Sequence, residues 1–338
     1  DKIDFEASLA KINGKKAELK TQEEAQKAYD ACQGNFVVSN IKSTTRKREA
    51  RPPFITSTLQ QEASTKLSFS AKRTMSIAQR LYEGVDVGNG QEGLITYMRT
   101  DSTRLSDVYV NGARELIQNE YGKQYLGTYH VSNDANSQDA HEAIRPTSLA
   151  NTPEKLKAHL TSEQYKLYAL IYARALSSLM SAAKYDSLTL TLSQNGYDFT
   201  ASGSTMKFDG YLKVYGEYES GKDVVLPSFE EQEQIAAKEL KANQHFTEPP
   251  ARYTEAKLIK ALEEDGIGRP STYAMIIDTI QARGYVTLEK TSESSRTKVF
   301  KPTEQGILTT EKLDEFFQDI INVRYTAKME STLDEIAD

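Results

Sequence analysis

The sequence predicts an α+β multidomain protein, in which a discontinuous β domain carries an inserted, mainly helical domain and a winged-helix-like domain follows. Three observations lead to this prediction. Two separated stretches show the alternating, β-branched patterns of strands, the stretch between them has helical periodicity, and two helices followed by a hairpin pattern come after Pro249-Pro250.

The predicted domain limits follow from where the periodicity changes. At 338 residues and roughly 150 residues per domain, two or three domains are expected. We assign 1–57 and 186–248 to the two parts of the β domain, 58–185 to the inserted helical domain and 249–338 to the last domain. Two separate β domains are the alternative to a single discontinuous one.

The first β stretch contains a strong hairpin signal. Asn13-Gly14 lies between alternating segments, as in a two-residue hairpin loop. A short helix is expected over Glu23–Cys32, beginning near Thr21. The run 35–48, NFVVSNIKSTTRKR, is rich in β-branched residues and predicts a long strand.

The helical stretch begins near Thr58. Ser106 is expected to cap one helix, and Thr161 with Gln164 forms a capping box for a second, longer helix. Between 84 and 93 the sequence predicts a polar, glycine-bearing loop. The residues that define the apolar helix faces are Leu59, Ala63, Leu67, Ile77, Ala78, Leu81 and Tyr82, then Val110, Ala113, Ile117 and Tyr121, then Leu167, Ile171, Leu176 and Leu179.

From Asp186 the pattern returns to strands. We expect strands in SLTLTL, in YDFTASG after a turn at Asn195-Gly196, and in YLKVYGEY over 211–218.

The last stretch resembles a winged helix-turn-helix. Thr254 caps a helix that stops at Gly266, and a second helix from Tyr273 ends at Gly284. A hairpin over 285–291 and 297–301 forms the wing, and one helix over 304–321 completes the domain.

Composition narrows the function classes. A hydrophobic content of 38% with 27% charged residues describes a soluble globular protein, and no apolar run approaches the ~20 residues needed to span a bilayer. Cys32 is the only cysteine, which excludes internal disulfides and cysteine-rich zinc sites and fits a reducing cytosol. Since the chain begins without methionine and ends just after a helical pattern, we expect it to be part of a longer protein.

Charge and missing motifs limit the ligands. The net charge of −6 argues weakly against a nucleic-acid partner, but the basic cluster over 42–51 can hold phosphates, although a solvated charge run explains it equally well. The sequence has no GxxxxGK[ST] loop, HExxH motif, Cys/His cluster or EF-hand loop, and no Asp-x-Asp pair placed for two metals. We therefore expect no ATP site and no metal site in this chain.

The stretch 93–106, GLITYMRTDSTRLS, carries the clearest chemistry. Tyr97 has an ordinary pKa of about 10 and needs a nearby cation to act as a nucleophile at neutral pH. Arg99, two residues on, offers a fork of donors that matches a phosphate. The pair suits attack on a phosphodiester, although an exposed strand end with an ordinary tyrosine and arginine is the alternative.

Two further motifs carry charged and hydroxyl groups. In HEAIRPT, His141 and Arg145 could bind phosphate or move a proton, whereas a structural histidine beside a surface ion pair of Arg145 is the alternative. In GIGRPST, Arg269, Ser271 and Thr272 lie at a helix start, which suits either anion binding or simple capping.

Taken together, the stretches 93–106, 140–147 and 249–286 resemble the bacterial type IA DNA topoisomerases. The segments 53–64, 71–84 and 325–337 are similar to that family as well, so the resemblance covers nearly the whole chain. It implies a β arch domain, a tyrosine-bearing domain inserted in it, and part of a helical DNA-binding domain.

The resemblance also implies roles for individual residues. Tyr97 corresponds to the nucleophile that forms a 5′-phosphotyrosine bond with one DNA strand, and Arg99 to the residue that stabilises the scissile phosphate. The DNA-contacting positions that it implies are Gln79, Glu83, Thr96, Thr100, Asp101, His141, Arg145, Arg269, Ser271 and Thr272.

The implied activity is ATP-independent relaxation of negatively supercoiled DNA by a monomer that acts on single-stranded regions in the bacterial cytoplasm, at the nucleoid. The family's Mg²⁺ is held by an N-terminal Toprim-type domain with no counterpart in these 338 residues, so we expect the chain alone to be inactive. A tyrosine recombinase is one alternative, but its arginine-rich set precedes the tyrosine. A non-catalytic winged-helix module explains only 249–303.

Overall fold

The computed structural model describes residues 4–88, 90–129, 141–219 and 221–337. The strands are β1 (Ser8–Ile12), β2 (Lys15–Lys16), β3 (Asn35–Arg48), β4 (Val85–Asp86), β5 (Gln91–Glu92), β6 (Ala183–Gln194), β7 (Tyr197–Phe208), β8 (Gln234–Ala236), β9 (Val286–Lys290) and β10 (Lys298–Pro302). The helices are α1 (Gln22–Ala31), α2 (Thr56–Glu62), α3 (Ala71–Glu83), α4 (Asp107–Glu120), α5 (Pro153–Leu156), α6 (Ser162–Ser177), α7 (Leu212–Tyr215), α8 (Glu255–Glu264), α9 (Tyr273–Ala282), α10 (Glu304–Phe316) and α11 (Val323–Ala337). The predicted mixture of α and β structure is confirmed.

The chain divides into two compact units. The sheet unit comprises Asp1–Glu49 and Ala182–Pro249, and the tyrosine unit comprises Ala50–Ser181 and Pro250–Asp338. The four predicted domain limits stay a prediction, although the contacts place the inserted helical stretch and the winged-helix-like stretch in one unit.

The sheet unit is built on an antiparallel sheet with strand order β2-β1-β7-β6-β3-β8. Both predicted hairpin turns are present, with Asn13 at φ 48° and Asn195 at φ 50°, each followed by a left-handed glycine. Cys32, Phe36 and Val38 form a buried cluster on this sheet. Thr21 and Glu24 form a capping box at the start of α1, as the predicted helix start near Thr21 requires.

One predicted strand of this unit is wrong. The segment YLKVYGEY forms the short helix α7 and a 3₁₀ turn over Gly216–Tyr218. Tyr211 and Tyr215, four residues apart, are each 1% exposed, so helical spacing buries both rings on one side. The Tyr211 hydroxyl also donates to Glu219 at 2.7 Å.

The core of the tyrosine unit lies around α6. Its capping box at Thr161 and Gln164 is confirmed, and ten of its residues are buried. Arg174 is buried with them, where Nε donates to the Pro52 carbonyl at 2.6 Å and the guanidinium lies over the Phe54 ring. Buried charges need such partners, and here a backbone carbonyl supplies one.

The winged-helix-like stretch packs on the helices of the same unit. The predicted caps at Thr254 and Gly284 and the β9–β10 hairpin are confirmed. A buried cluster joins Ala71 of α3 with Ile259, Tyr273, Ile277 and Phe300.

The helix predicted over 304–321 ends earlier, at Phe316, where Phe317 leaves the helical conformation with φ −135°. A separate helix, α11, follows from Val323, and the Asn322 side chain accepts the Tyr325 N–H at 2.7 Å at its start. The helix predicted from Thr58 starts at Thr56 and passes into a π-helical turn over Ala63–Leu67. In the predicted loop over 84–93, β4 and β5 pair as a two-residue ladder.

Two substitutions of Glu255 should distinguish the contribution of its hydrogen bond to stability from the contribution of its charge. Glu255 is 8% exposed, and its carboxylate accepts the Ala71 N–H at the start of α3 at 3.1 Å. Glu255→Ala leaves that buried N–H without a partner and should lower the free energy of unfolding by about 1–3 kcal/mol. Glu255→Gln keeps an acceptor and should be at least as stable as the wild type at pH 7, as measured by chemical denaturation.

The stability difference between the wild type and Glu255→Gln should depend on pH with a definite sign. Burial raises the pKa of Glu255 above its ordinary value, so the folded protein binds more protons than the unfolded chain just above pH ~4.3. The stability of the wild type relative to Glu255→Gln should therefore rise as the pH falls from 7 toward that value. An opposite trend would contradict the assignment.

Candidate active site

The Tyr97 segment bends at Thr96, Met98 and Arg99 and belongs to no regular helix or strand, and its side chains alternate between interior and surface. Met98, Thr100 and Ser102 are buried at 1%, 3% and 5% exposure. Tyr97 is half-buried, while Arg99 and Asp101 are exposed. The buried set anchors the segment, and the other set faces outward.

A glycine lets this segment approach the end of α3. A Cβ on Gly93 would lie 2.7 Å from the Tyr82 carbonyl, which only glycine avoids. Directly after it, the Leu94 N–H donates to the Leu81 carbonyl at 2.7 Å. The approach brings Tyr97 beside the last turn of α3.

Two aromatic residues border the Tyr97 ring. Tyr82 lies edge-on with ring centroids 5.4 Å apart, and the ring of the exposed His141 lies tilted against Tyr97 with centroids 5.1 Å apart. Such pairs hold a ring in place without a hydrogen bond to its hydroxyl. Tyr82 was predicted to belong to the apolar face of its helix, but it is 40% exposed. Its position between Gln79 and Glu83 on α3 is the signal that sequence reasoning missed.

Gln79 and Glu83 flank Tyr82 on α3. The Gln79 amide donates to the Glu83 carboxylate at 2.6 Å. The structure thus places these two predicted DNA contacts on the turn that reaches Tyr97.

Thr96 joins the Tyr97 segment to the HEAIRPT segment. Its hydroxyl donates to the Ala143 carbonyl at 2.6 Å and accepts the Arg145 N–H at 3.0 Å. Its own N–H donates to the Arg145 carbonyl at 2.9 Å. The hydroxyl and the N–H of Thr96 are thus both occupied by protein partners, at the position directly before Tyr97.

The Arg145 side chain is occupied by protein acceptors. Nε and Nη2 contact both carboxylate oxygens of Glu142 at 2.7 and 3.2 Å, Nη1 donates to the Pro146 carbonyl and Nη2 to the Ser106 hydroxyl. Its guanidinium lies 4.9 Å from the centroid of the Tyr109 ring. The ion pair that was considered as an alternative is present, and DNA contact by Arg145 stays a prediction.

Thr100 and Asp101 have different surroundings. The Thr100 N–H donates to the Thr56 hydroxyl at 2.9 Å, and the Thr100 hydroxyl accepts the Ser102 N–H at 3.1 Å. Asp101 is exposed. Burial, followed by charges that include Asp101, raises the pKa of Tyr273 to about 12. Asp101 is therefore near the helix that follows GIGRPST.

Arg269 is held by α11 as well as by its own turn. Nε and Nη2 donate to Asp334, with a shortest distance of 2.6 Å, and Nη1 donates to the carbonyls of Gly268 and Gly266 at 2.7 and 3.3 Å. The hydrogen bond that Arg269 donates to Asp334 is the main cause that raises the pKa of Arg269. With one bond at Nε, two at Nη1 and one at Nη2, four of the five guanidinium N–H groups have acceptors.

Thr272, in the rest of the GIGRPST turn, makes its hydrogen bond within the turn itself. Thr272 accepts the Arg269 N–H at 2.8 Å, directly before α9, and Ser271 is exposed.

Among the described residues no hydrogen bond or ion pair is made by Arg99. Of the three predicted arginines, Arg99 is thus the one whose donors can meet a phosphate without displacing a carboxylate.

Comparison with known proteins identifies the family. The family model described as DNA topoisomerase matches residues 2–338. The chain belongs to the bacterial type IA DNA topoisomerases. Full-length topoisomerase I from Thermotoga maritima has a similar structure, with a TM-score of 0.83 and 38% sequence identity over 98% of this chain. The chain spans 54% of the length of that topoisomerase.

The described part of this topoisomerase chain shows no group of three or more His, Cys, Asp or Glu side chains that could hold a metal ion. None of the described helices is long and apolar enough to cross a membrane.

We expect Thr96 to tolerate serine but not valine. Thr96→Val keeps the shape but leaves the Arg145 N–H and the Ala143 carbonyl without their side-chain partner, so the free energy of unfolding should fall by about 1–3 kcal/mol. Thr96→Ser keeps the hydroxyl and should lose less than half of that amount. Equal stability of the two variants in thermal or denaturant unfolding would contradict the hydrogen-bond geometry.

Proposed function

We propose that this chain supplies the nucleophile and the strand gate of a type IA topoisomerase, which relaxes negatively supercoiled DNA without ATP. The observation that carries the proposal is the half-exposed Tyr97, whose ring contacts Tyr82 and His141, with the exposed Arg99 two residues on in the chain. The family membership and the structural similarity support it.

The proposed reaction exchanges one phosphodiester for another. The Tyr97 hydroxyl attacks the phosphorus, a bond from phosphorus to the tyrosine oxygen forms, and the bond from phosphorus to O3′ breaks. The phenol loses a proton and the departing O3′ gains one, so the step is balanced. Arg99 stabilises the charge that develops on the phosphate oxygens. Attack by the 3′-hydroxyl on the phosphotyrosine reverses the step and reseals the strand.

The remaining functional expectations are parts of this proposal. DNA binds mainly as single strands, through backbone contacts and stacking. The protein acts as a monomer in the bacterial cytoplasm, at the nucleoid. Mg²⁺ belongs to a Toprim-type domain that these 338 residues do not contain, so relaxation is assayed with the chain joined to such a domain.

Tyr97→Phe should abolish both relaxation and the covalent DNA complex, because the variant has no oxygen to form the bond. Its dissociation constant for single-stranded DNA should stay within about two-fold of the wild type, since an uncharged hydroxyl adds little to backbone binding. Tyr253→Phe, at a tyrosine 52% exposed in the same unit, is the matched control and should keep full activity. A covalent complex in Tyr97→Phe, or a link to the 3′ end of the cut, would contradict the proposal.

Alanine substitutions of Arg99 and Arg269 should weaken the binding of single-stranded DNA by the chain alone to different extents. Arg99→Ala should weaken binding several-fold and reduce the slope of log K against log salt by about 0.7, the value expected for one phosphate contact on a single strand. Arg269→Ala should have a smaller effect, because Asp334 already neutralises Arg269. Titrations at several salt concentrations measure both. A larger effect for Arg269→Ala would mean that DNA displaces Asp334.

Releasing Arg269 should strengthen the same binding. In Asp334→Asn the guanidinium keeps its carbonyl partners and the more distant Glu330, at 3.8 Å, but loses the nearer carboxylate, so affinity and salt slope should both increase. Glu335→Gln, an exposed carboxylate on α11 with the same charge change, is the control. Equal affinities of these two variants would show that the ion pair does not compete with DNA.

A further inference from the structure

The Glu142 carboxylate is a junction between three parts of the candidate site. It accepts two hydrogen bonds from Arg145, at 2.7 and 3.2 Å, and one from the Ser106 N–H at 3.0 Å. Ser106 is the N-cap of α4, and its hydroxyl accepts from Arg145 as well. The HEAIRPT segment is thus tied through one carboxylate to the start of a helix.

The guanidinium that Glu142 holds cannot rotate without losing several bonds. Arg145 has Glu142, Ser106 and the Pro146 carbonyl as acceptors, and its side chain is 13% exposed. A bidentate pair that is mostly buried fixes orientation much better than an exposed one.

The fixed arginine in turn fixes the residue before the tyrosine. The Arg145 N–H and carbonyl both bond to Thr96, at 3.0 and 2.9 Å. On the other side of Glu142 in the chain, His141 packs on the Tyr97 ring at 5.1 Å. In the chain Glu142 therefore lies between His141, which contacts the Tyr97 ring, and Arg145, which bonds to the residue before Tyr97.

We propose that Glu142 is a positioning residue, which sets the orientation of the Tyr97 ring through Arg145 and Thr96 and through its neighbour His141. This proposal rests on the function proposed above. It assigns Arg145 to the same positioning unit and removes it from the phosphate-binding groups.

The charge of Glu142 is part of this arrangement. Burial alone would raise its pKa, but the hydrogen bonds from Arg145 and Ser106 hold the pKa below its ordinary value. Glutamine at this position has nearly the same shape, loses the charge and turns one acceptor into a donor that faces Arg145. Glu142→Gln is therefore a small change that breaks the junction.

The first test observes the geometry in the chain alone, without DNA. The sequence has four histidines, so their ring C–H signals are few enough to assign by NMR, with His141→Asn as the reference. Tyr97→Leu removes the ring current on His141, whereas Tyr97→Phe keeps it. Glu142→Gln should move the His141 signal toward its position in Tyr97→Leu. Glu115→Gln, an exposed glutamate on α4, should leave it unchanged.

The second test measures cleavage of a single-stranded oligonucleotide by the chain joined to a Toprim-type domain. Glu142→Gln should slow formation of the covalent complex roughly 10- to 100-fold, the range expected for a displaced nucleophile, and leave the dissociation constant unchanged. Arg145→Lys keeps the charge but loses the fork, and should slow cleavage to a similar extent. The double variant should be no slower than the worse single one, because the two residues act as a unit.

The outcomes separate this proposal from the proposed function. An unchanged His141 signal in both Glu142→Gln and Arg145→Lys overturns the positioning role, whatever the activity. Cleavage that falls only in proportion to lost DNA binding overturns it too. A shifted His141 signal in a protein whose Tyr97→Phe variant still cleaves DNA would support the positioning geometry and overturn the proposed function instead. If Glu142→Gln does not fold, Arg145→Lys carries both measurements.

Discussion

The candidate site depends on a short set of hydrogen bonds between segments far apart in the sequence. The Thr96 N–H donates to Arg145, the Thr147 N–H donates to Leu94, and the Ile144 N–H donates to Phe54. Tyr97 lies on no regular helix or strand, so these bonds, with the buried neighbours of the tyrosine, replace the ladder that would otherwise fix it. A nucleophile on an irregular segment can lie half-exposed on a surface, yet it keeps one orientation only while its supports are intact.

The arginines around this set of bonds are sorted by the carboxylates near them. Glu142 holds Arg145, and Asp334 with Glu330 holds Arg269, whereas Arg99 is exposed and has no partner among the described residues. A guanidinium that already binds a carboxylate has to exchange one anion for another to meet DNA, and that exchange yields little net free energy. Net attraction for phosphate is therefore expected from the arginine without a carboxylate, although all three belong to motifs that look equally basic in the sequence.

The sequence is informative where a signal is local and much less so where partners are distant. Turns at Asn13-Gly14 and Asn195-Gly196 and the cap at Thr161 depend on neighbouring residues, and the structure has all of them. The segment YLKVYGEY failed because its tyrosines at 211 and 215 fit either alternation or helical spacing, and burial of both rings decided for the helix. The pairing of Arg269 with a residue 65 positions later has no local signal.

The heptad TYMRTDS shows why a motif predicts a site better than it predicts the role of each residue. Along this bent segment the side chains alternate, so that Tyr97, Arg99 and Asp101 face outward while Met98 and Thr100 are buried. The outward-facing residues are available for the reaction, whereas the buried residues hold the backbone in place. Both kinds of residue are therefore required within the same heptad. Resemblance alone gives Thr100 and Asp101 similar standing as DNA contacts. Burial separates them, because a threonine 3% exposed and hydrogen-bonded to Thr56 and Ser102 reaches DNA only if the segment unfolds.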